Sequence, residues 1–275
     1  MTSAVMSGKT RGPRPDFDLG ARSSRVMLGA LAVAGALGLW QALSVFHALP
    51  REFFPSAWSV ALELKTLVGE GSFWSAVGAT MESWALGLAI AVVLGVPIGI
   101  LLGSNGRMYS FTRVVIEGLK PVPPVVLIPI ALLVLGTGLT MQLVLIVQGA
   151  LWPILLHSIY GVRSVDPIAL ETGASFRLTP TQRFVYIRVP GSLPLIATGV
   201  RVAATIALVV SVVAELVGGA AGLGNEILKA ESSNAVVLMY ALILTTGLLG
   251  MAVSSTFRSV ERRVLFWHPA HRGAP

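Results

Sequence analysis

Long apolar runs alternate with shorter segments that hold nearly all of the charge, and this alternation dominates the chain. A helix rising ~1.5 Å per residue needs about 20 mainly apolar residues to cross ~30 Å of hydrocarbon. The pattern predicts spans at Val26 to Phe46, Thr80 to Leu102, Val114 to Leu135, Gln142 to Tyr160, Leu195 to Val217 and Ala235 to Thr256. Pro121, Pro123, Pro124 and Pro129 interrupt the third, and the carbonyls they free must be satisfied by neighbouring protein or water. That predicts burial within a bundle or beside a cavity. Ser56 to Val68 has helical apolar spacing but is short and carries Glu63 and Lys65, so it is expected to lie along the outer surface.

These readings divide the chain into a disordered leader at 1–25, an anchor at 26–46, an extracytoplasmic segment at 47–79, a core at 80–256 and a tail at 257–275. The core includes a polar segment at 161–194. The first apolar run exceeds a signal peptide's core and lacks a small-x-small cleavage pattern, so it is read as retained. No internal repeat is visible.

Composition agrees. With 54% hydrophobic and 12% charged residues, the fold class expected is all-α and polytopic in a membrane. A net charge of +7 could point to nucleic acid, but the basic residues sit in loops between apolar runs rather than on a soluble face with stacking aromatics. Lysine and arginine also set the orientation. With the amino terminus inside, 17 of the 20 basic residues fall on cytoplasmic segments and only Arg51, Lys65 and Lys229 lie outside. This predicts both termini in the cytoplasm.

Several candidate chemistries are weak. Gly8-Lys9-Thr10 looks like the tail of a phosphate-binding loop, but Ser3 stands where its first glycine belongs and no strand precedes it. His47, His157, His268 and His271 form no metal set, and there is no cysteine. Neither a nucleophile elbow nor paired carboxylates appear. Gly95, Gly99 and Gly103, at four-residue spacing, predict a helix face that another backbone approaches closely, with Pro97 a kink. Glu215 is placed near the outer end of the fifth span, where its carboxylate can reach the interface, which gives an interfacial or structural reading; a gate or substrate-path role is the alternative. Gln148, Thr205 and Ser211 are candidates for a polar path, or for hydrogen bonds across a helix pair.

The polar segment between the fourth and fifth spans is the most distinctive feature. Asp166-Pro167 marks a turn, after which Ile168 to Phe176 is expected to be helical, with Glu171 near the positive amino-terminal end. Thr179 is expected to cap a second helix, with Pro180 at its first position and Gln182 completing a capping box. Pro190 and Pro194 are expected to end that helix.

Here the chain resembles the permease subunit of bacterial binding-protein-dependent ABC importers of the nitrate, sulfonate and taurine type. That family's cytoplasmic signature is Glu-Ala-Ala, then a glycine, then Ile-x-Leu-Pro. This chain has Glu171-Thr172-Gly173 and Ile187-Arg188-Val189-Pro190, followed by Leu193-Pro194 and Gly199-Val200-Arg201. FPSAWSV at Phe54 to Val60, LGVPIG, KPVPPVVLIPI at Lys120 to Ile130, WPILLHSIYGVRSVDP and AELVGGAAGLG at Ala214 to Gly224 extend the likeness. Arg177 stands at the signature's central glycine, Thr172 at an alanine-type position, and Ser83 where relatives often carry a basic residue.

The resemblance implies a type I importer-like core of six transmembrane helices in the bacterial cytoplasmic (inner) membrane. It implies pairing with a second permease copy, among membrane lipids, and delivery of a small solute by an extracytoplasmic substrate-binding protein. Two ABC ATPase subunits would dock through Asp166, Glu171, Thr172, Gly173, Ala174, Ser175, Phe176, Arg177 and Leu178. Ile187, Pro190, Pro194 and Arg201 would link that contact to the fifth span. ATP and Mg would belong to the partner ATPases, leaving this chain without cofactor or catalysis of its own. A secondary transporter or channel driven by an ion gradient is the alternative; it would call for charged or broken helices near mid-membrane.

Overall fold

The structure, a computed structural model, describes residues 20–46, 50 and 52–266, with side chains from Met27 onward. Every regular element among them is helical. The chain divides into two units, 1–58 and 59–275.

In the first unit, helix α1 (Gly20–Val45) contains the predicted anchor but starts within the expected leader. The Trp40 indole N–H donates to the Pro55 carbonyl at 3.0 Å, folding the following segment back along α1. The rest of the leader, with Gly8-Lys9-Thr10, lies outside the described residues, as do His47, His268 and His271. Helix α2 (Ala57–Val68) straddles the boundary and matches the predicted surface helix.

The second unit is built on α3 (Gly71–Ser104), α6 (Leu139–Arg163) and α9 (Val189–Gly218), with α6 packed extensively against both others. Lipid tails are as apolar as leucine, so helices in a bilayer associate by close packing rather than by hydrophobic exclusion. Small residues provide that packing. Ala203, Ala204, Ala207 and Ala214 of α9 are buried against Leu145, Ile146, Ala150 and Ile154 of α6 and Leu88 and Ala91 of α3. Large apolar side chains such as Val93, Val209 and Met251 face outward, as a lipid-facing surface requires.

Four sequence expectations need correction. The third span is two helical limbs, α4 (Gly106–Leu119) and a 3-10 turn at Pro124–Leu127 leading into α5 (Ile128–Leu135), bent by 75°. The run from Lys120 to Pro123 lacks enough amide donors to carry one helix through. Helix α3 begins nine residues before Thr80, because hydropathy falls across Gly71, Ser72 and Ser75 while helix formation does not. Pro190 and Pro194 end nothing: the helix from Pro180 runs unbroken to Gly218, 39 residues. A π segment at Phe184–Arg188, in which the Val189 amide reaches back to the Phe184 carbonyl, places Pro190 at the opening of α9, where an amide is not needed. Finally, α11 (Val236–Val264) runs past Thr256 as far as Val264, into the first part of the expected tail.

Between α9 and α11, the structure adds α10 (Leu223–Ser232), a short helix that hydropathy did not predict. Its amphipathic pattern buries Leu223, Ile227 and Ala230.

Candidate functional site

The polar segment joins α6 to α9 as a compact two-helix projection. Asp166 caps α7 (Pro167–Ser175) by accepting the Ile168 amide at 2.8 Å, with Pro167 in the first turn. Asp166, rather than Glu171, therefore occupies the positive end; Glu171 lies a turn further on and is exposed. Helix α8 (Pro180–Arg183) opens with the predicted capping box: Thr179 accepts the Gln182 amide, and the Gln182 side chain accepts the Thr179 amide at 2.9 Å.

Gly173 shows why this corner needs its sequence. It is the buried residue of α7, and a Cβ there would lie 2.7 Å from Ile187 Cδ1. The missing side chain lets α7 seat on the π segment that leads into α9. Thr172, Ala174, Ser175, Phe176 and Arg177 are exposed, Phe176 at 78%, while Leu178 is half-buried. Ile187, Pro190 and Pro194 are half-buried along the path into α9. Further along, Arg201 ion-pairs with Glu261 of α11 at 2.8 Å, a partner the sequence did not suggest.

Arg177 adopts φ 59°, so the turn keeps the left-handed conformation that glycine would favour. Its amide donates to the Ala174 carbonyl and the Leu178 amide to the Gly173 carbonyl, closing the helix end. A non-glycine residue there costs about 1–2 kcal/mol. Arg177→Gly is expected to raise thermal stability in detergent by up to about 1 kcal/mol, since glycine also loosens the unfolded chain. A fall in Tm would show that the arginine side chain contributes more than its backbone costs.

A second constellation is buried at the other end of α9. Glu215 has no solvent exposure. Its carboxyl oxygens accept from the Thr80 hydroxyl at 2.9 Å, the Ser211 hydroxyl at 3.2 Å and the Gly224 amide at 3.0 Å. Thr80 in turn accepts the Leu223 amide at 2.9 Å, and Ser83 sits 2.7 Å from Ser211. The turn before α10 wraps the carboxyl group closely: a Cβ on Gly222, at φ 147°, would overlap it. Of the interfacial and structural readings of Glu215, the enclosed carboxyl group supports the structural one. It ties α3, α9 and the α9–α10 turn together. Thr80 and Ser83 were missed, although hydroxyls three apart on one helix, opposite Ser211 and Glu215 four apart on another, form a readable signal.

The four path candidates do not share one wall. Ser211 and Glu215 belong to the buried cluster, and Thr205 is exposed, bonded to the Arg201 carbonyl of its own helix. Gln148 lines a cavity of about 470 Å³ between α6, α9 and the bend after α4.

The glycine stripe lies against α6. A Cβ on Gly95 would come 2.9 Å from Ile154 Cγ2; on Gly99, 2.5 Å from Ser158 Cβ; on Gly103, 2.8 Å from the Ile159 carbonyl. Gly87 continues the stripe, 2.5 Å from Ile146 Cγ2.

Residues 95–266 match the model of the binding-protein-dependent transport system inner membrane component family. The chain belongs to that family. It is similar to the taurine transport system permease protein of Escherichia coli (strain K12), 27% identical over 253 residues that cover 90% of this chain and 91% of the relative. It is also similar to the nitrate import permease protein of Leptolyngbya laminosa, 24% identical over 275 residues covering 96% and 98% of the two chains. Among solved structures, the methionine ABC transporter in inward-facing conformations superposes with TM-score 0.61 at 20% identity, covering 71% of this chain and 98% of that one.

This ABC importer permease therefore has a multi-pass inner-membrane fold, with five helices among the described residues long and apolar enough to span, or six counting the bent α4–α5 pair. The matched region contains Gly95, Gly99 and Gly103 of the glycine stripe, the projection at 164–188, and Ser211, Glu215 and Gly224 of the buried cluster, while Gly87, Thr80 and Ser83 precede it.

Proposed function

We propose that this permease is the membrane subunit of an ATP-driven importer for a small anion of the taurine, sulfonate or nitrate type. An extracytoplasmic binding protein delivers the solute. Two copies of the permease form the pathway, and two cytosolic ATPases dock on the exposed outer surface of α7 and the turn at Arg177. The observation that carries this reading is the continuity of the helix from Pro180 to Gly218. Because α7 rests on that helix through Gly173 and Ile187, force applied at the projection is delivered to a core span without an intervening flexible loop. Alternating access then requires a bundle with two arrangements that the ATPases bias.

The chain has no cysteine, so Ser175→Cys provides a single exposed thiol. With the binding protein and ATPase co-expressed, this thiol is expected to cross-link to the ATPase in membranes. Uptake into right-side-out vesicles lacking any ion gradient is expected only when ATP is inside, on the ATPase side. A persistent failure to trap the ATPase, or uptake that follows an ion gradient and ignores ATP, would favour the secondary-transporter reading.

A further inference from the structure

We propose that the cavity beside Gln148 is a transit site for a small organic anion with an apolar body, and that it discriminates against inorganic oxyanions. The proposal deepens the importer reading and rests on it.

Three features of the cavity point to that ligand. First, its place: it opens where the chain breaks between α4 and α5, and it runs along α6 from Gln148, near the middle of that helix, to Tyr160, close to the end bearing the projection. Gly149 makes this possible, since a Cβ there would lie 3.0 Å from Pro124 and 3.2 Å from Val210. A volume of about 470 Å³ suits a small organic molecule.

Second, its charge: Lys120 lines the wall together with His157 and Tyr160, no carboxylate does, and Lys120 makes no ion pair among the described residues. The polar atoms beside it are also incompletely satisfied. Gln148 is held in place by its amide N–H donating to the Val122 carbonyl at 3.0 Å, which leaves its Oε1 without a partner. One turn on, Trp152 Nε1–H is buried and likewise has none. A buried polar atom without a partner costs about 1–3 kcal/mol, so the Trp152 donor argues for an acceptor that arrives with the ligand, whereas Gln148 Oε1, itself an acceptor, contributes nothing to holding an anion.

Third, its walls: Val122, Pro124, Leu156, Ile206 and Val210 present carbon. An oxyanion such as nitrate is polar on every side and would exchange its water shell for hydrocarbon over most of its surface. An alkanesulfonate sets only its head against Lys120 and the indole N–H, and its chain gains from the carbon walls. The cavity therefore adds a selectivity filter behind whatever the binding protein selects.

The test uses the purified complex of permease and ATPase in detergent, without binding protein and nucleotide-free. Titration with butanesulfonate by calorimetry is expected to show one saturable site per permease copy, with nitrate at least about tenfold weaker as a competitor. Lys120→Gln removes the cation and is expected to weaken butanesulfonate binding about tenfold or more. Trp152→Phe keeps the ring and loses only the donor, and is expected to weaken it several-fold. Ile206→Trp, which fills the cavity, is expected to abolish binding. Retained co-purification of each variant with the ATPase controls for folding. The proposal is overturned if wild-type complex does not bind butanesulfonate, as when a second permease copy plugs the cavity. It is equally overturned if nitrate competes on equal terms, or if all three substitutions leave binding unchanged. A wild-type chain that recruits no ATPase would instead remove the importer reading, a result distinct from an intact complex that binds no sulfonate.

Discussion

Replacing Glu215 with alanine is expected to leave little folded permease. The substitution strands the Thr80 and Ser211 hydroxyls and the Gly224 amide inside the bundle, and opens a void where the α9–α10 turn now closes on the carboxyl group. Stranded buried donors cost about 1–3 kcal/mol each, although hydroxyls can turn to carbonyls of their own helices. A net loss of about 3–5 kcal/mol follows, against a total stability of about 5–15 kcal/mol. Monodisperse yield in detergent and thermal aggregation would read it. Glu215→Gln separates structure from charge. Its amide oxygen can take the Thr80 and Gly224 donors while its NH₂ donates to Ser211, whose hydroxyl can accept instead of donate. The glutamine variant is thus expected to fold nearly as well as the parent. If it folds and transports, the cluster acts as a strut; if it folds and uptake is lost, the carboxyl group itself takes part in the transport cycle. An alanine variant as stable as the parent would show that the cluster holds nothing together.

The second large effect is expected at Gly99→Val. The first added carbon already meets Ser158 Cβ at 2.5 Å and the Leu155 carbonyl at 2.8 Å, and the latter is backbone that cannot rotate away. Helix α3 would have to move off α6 along the stripe from Gly87 to Gly103, losing contacts on both sides. Overpacking of this kind costs about 1–3 kcal/mol, and more where backbone opposes backbone. The control is Gly78→Ala in the same helix, where no atom lies within 4 Å of the added carbon. There the higher helix propensity of alanine is expected to leave stability unchanged or slightly raised. Equal melting temperatures for the two variants would show that α3 and α6 do not depend on close approach.

The projection was legible because its signals are local. A capping box needs only Thr179, Pro180 and Gln182, and a capped start needs only Asp166 and Pro167. The glycine stripe was legible for the same reason: four-residue spacing alone places its members on one face. Pro190 misled because a proline's effect depends on whether its missing amide had a use, and the π segment before it removes that use; Pro194 lies inside α9 without ending it. Hydropathy left Glu215 between an interfacial and a structural reading because it measures distance along a helix and not what surrounds the residue. Its partners Thr80 and Gly224 come from another span and from the turn after its own.

By itself the sequence determined which segments are apolar enough to enter a membrane, where the two helices of the projection start, and which face of α3 is bare. Those follow from composition, caps and a 3.6-residue period, each set within a few turns of chain. Only the tertiary structure decided what the bare face meets, how the proline-rich limb bends away to leave a cavity, and that a carboxyl group near one helix end is enclosed rather than wetted. Each of these depends on which distant segment fills the adjoining space, and within a bilayer that choice is made by packing and hydrogen bonding between helices, which hydropathy does not record.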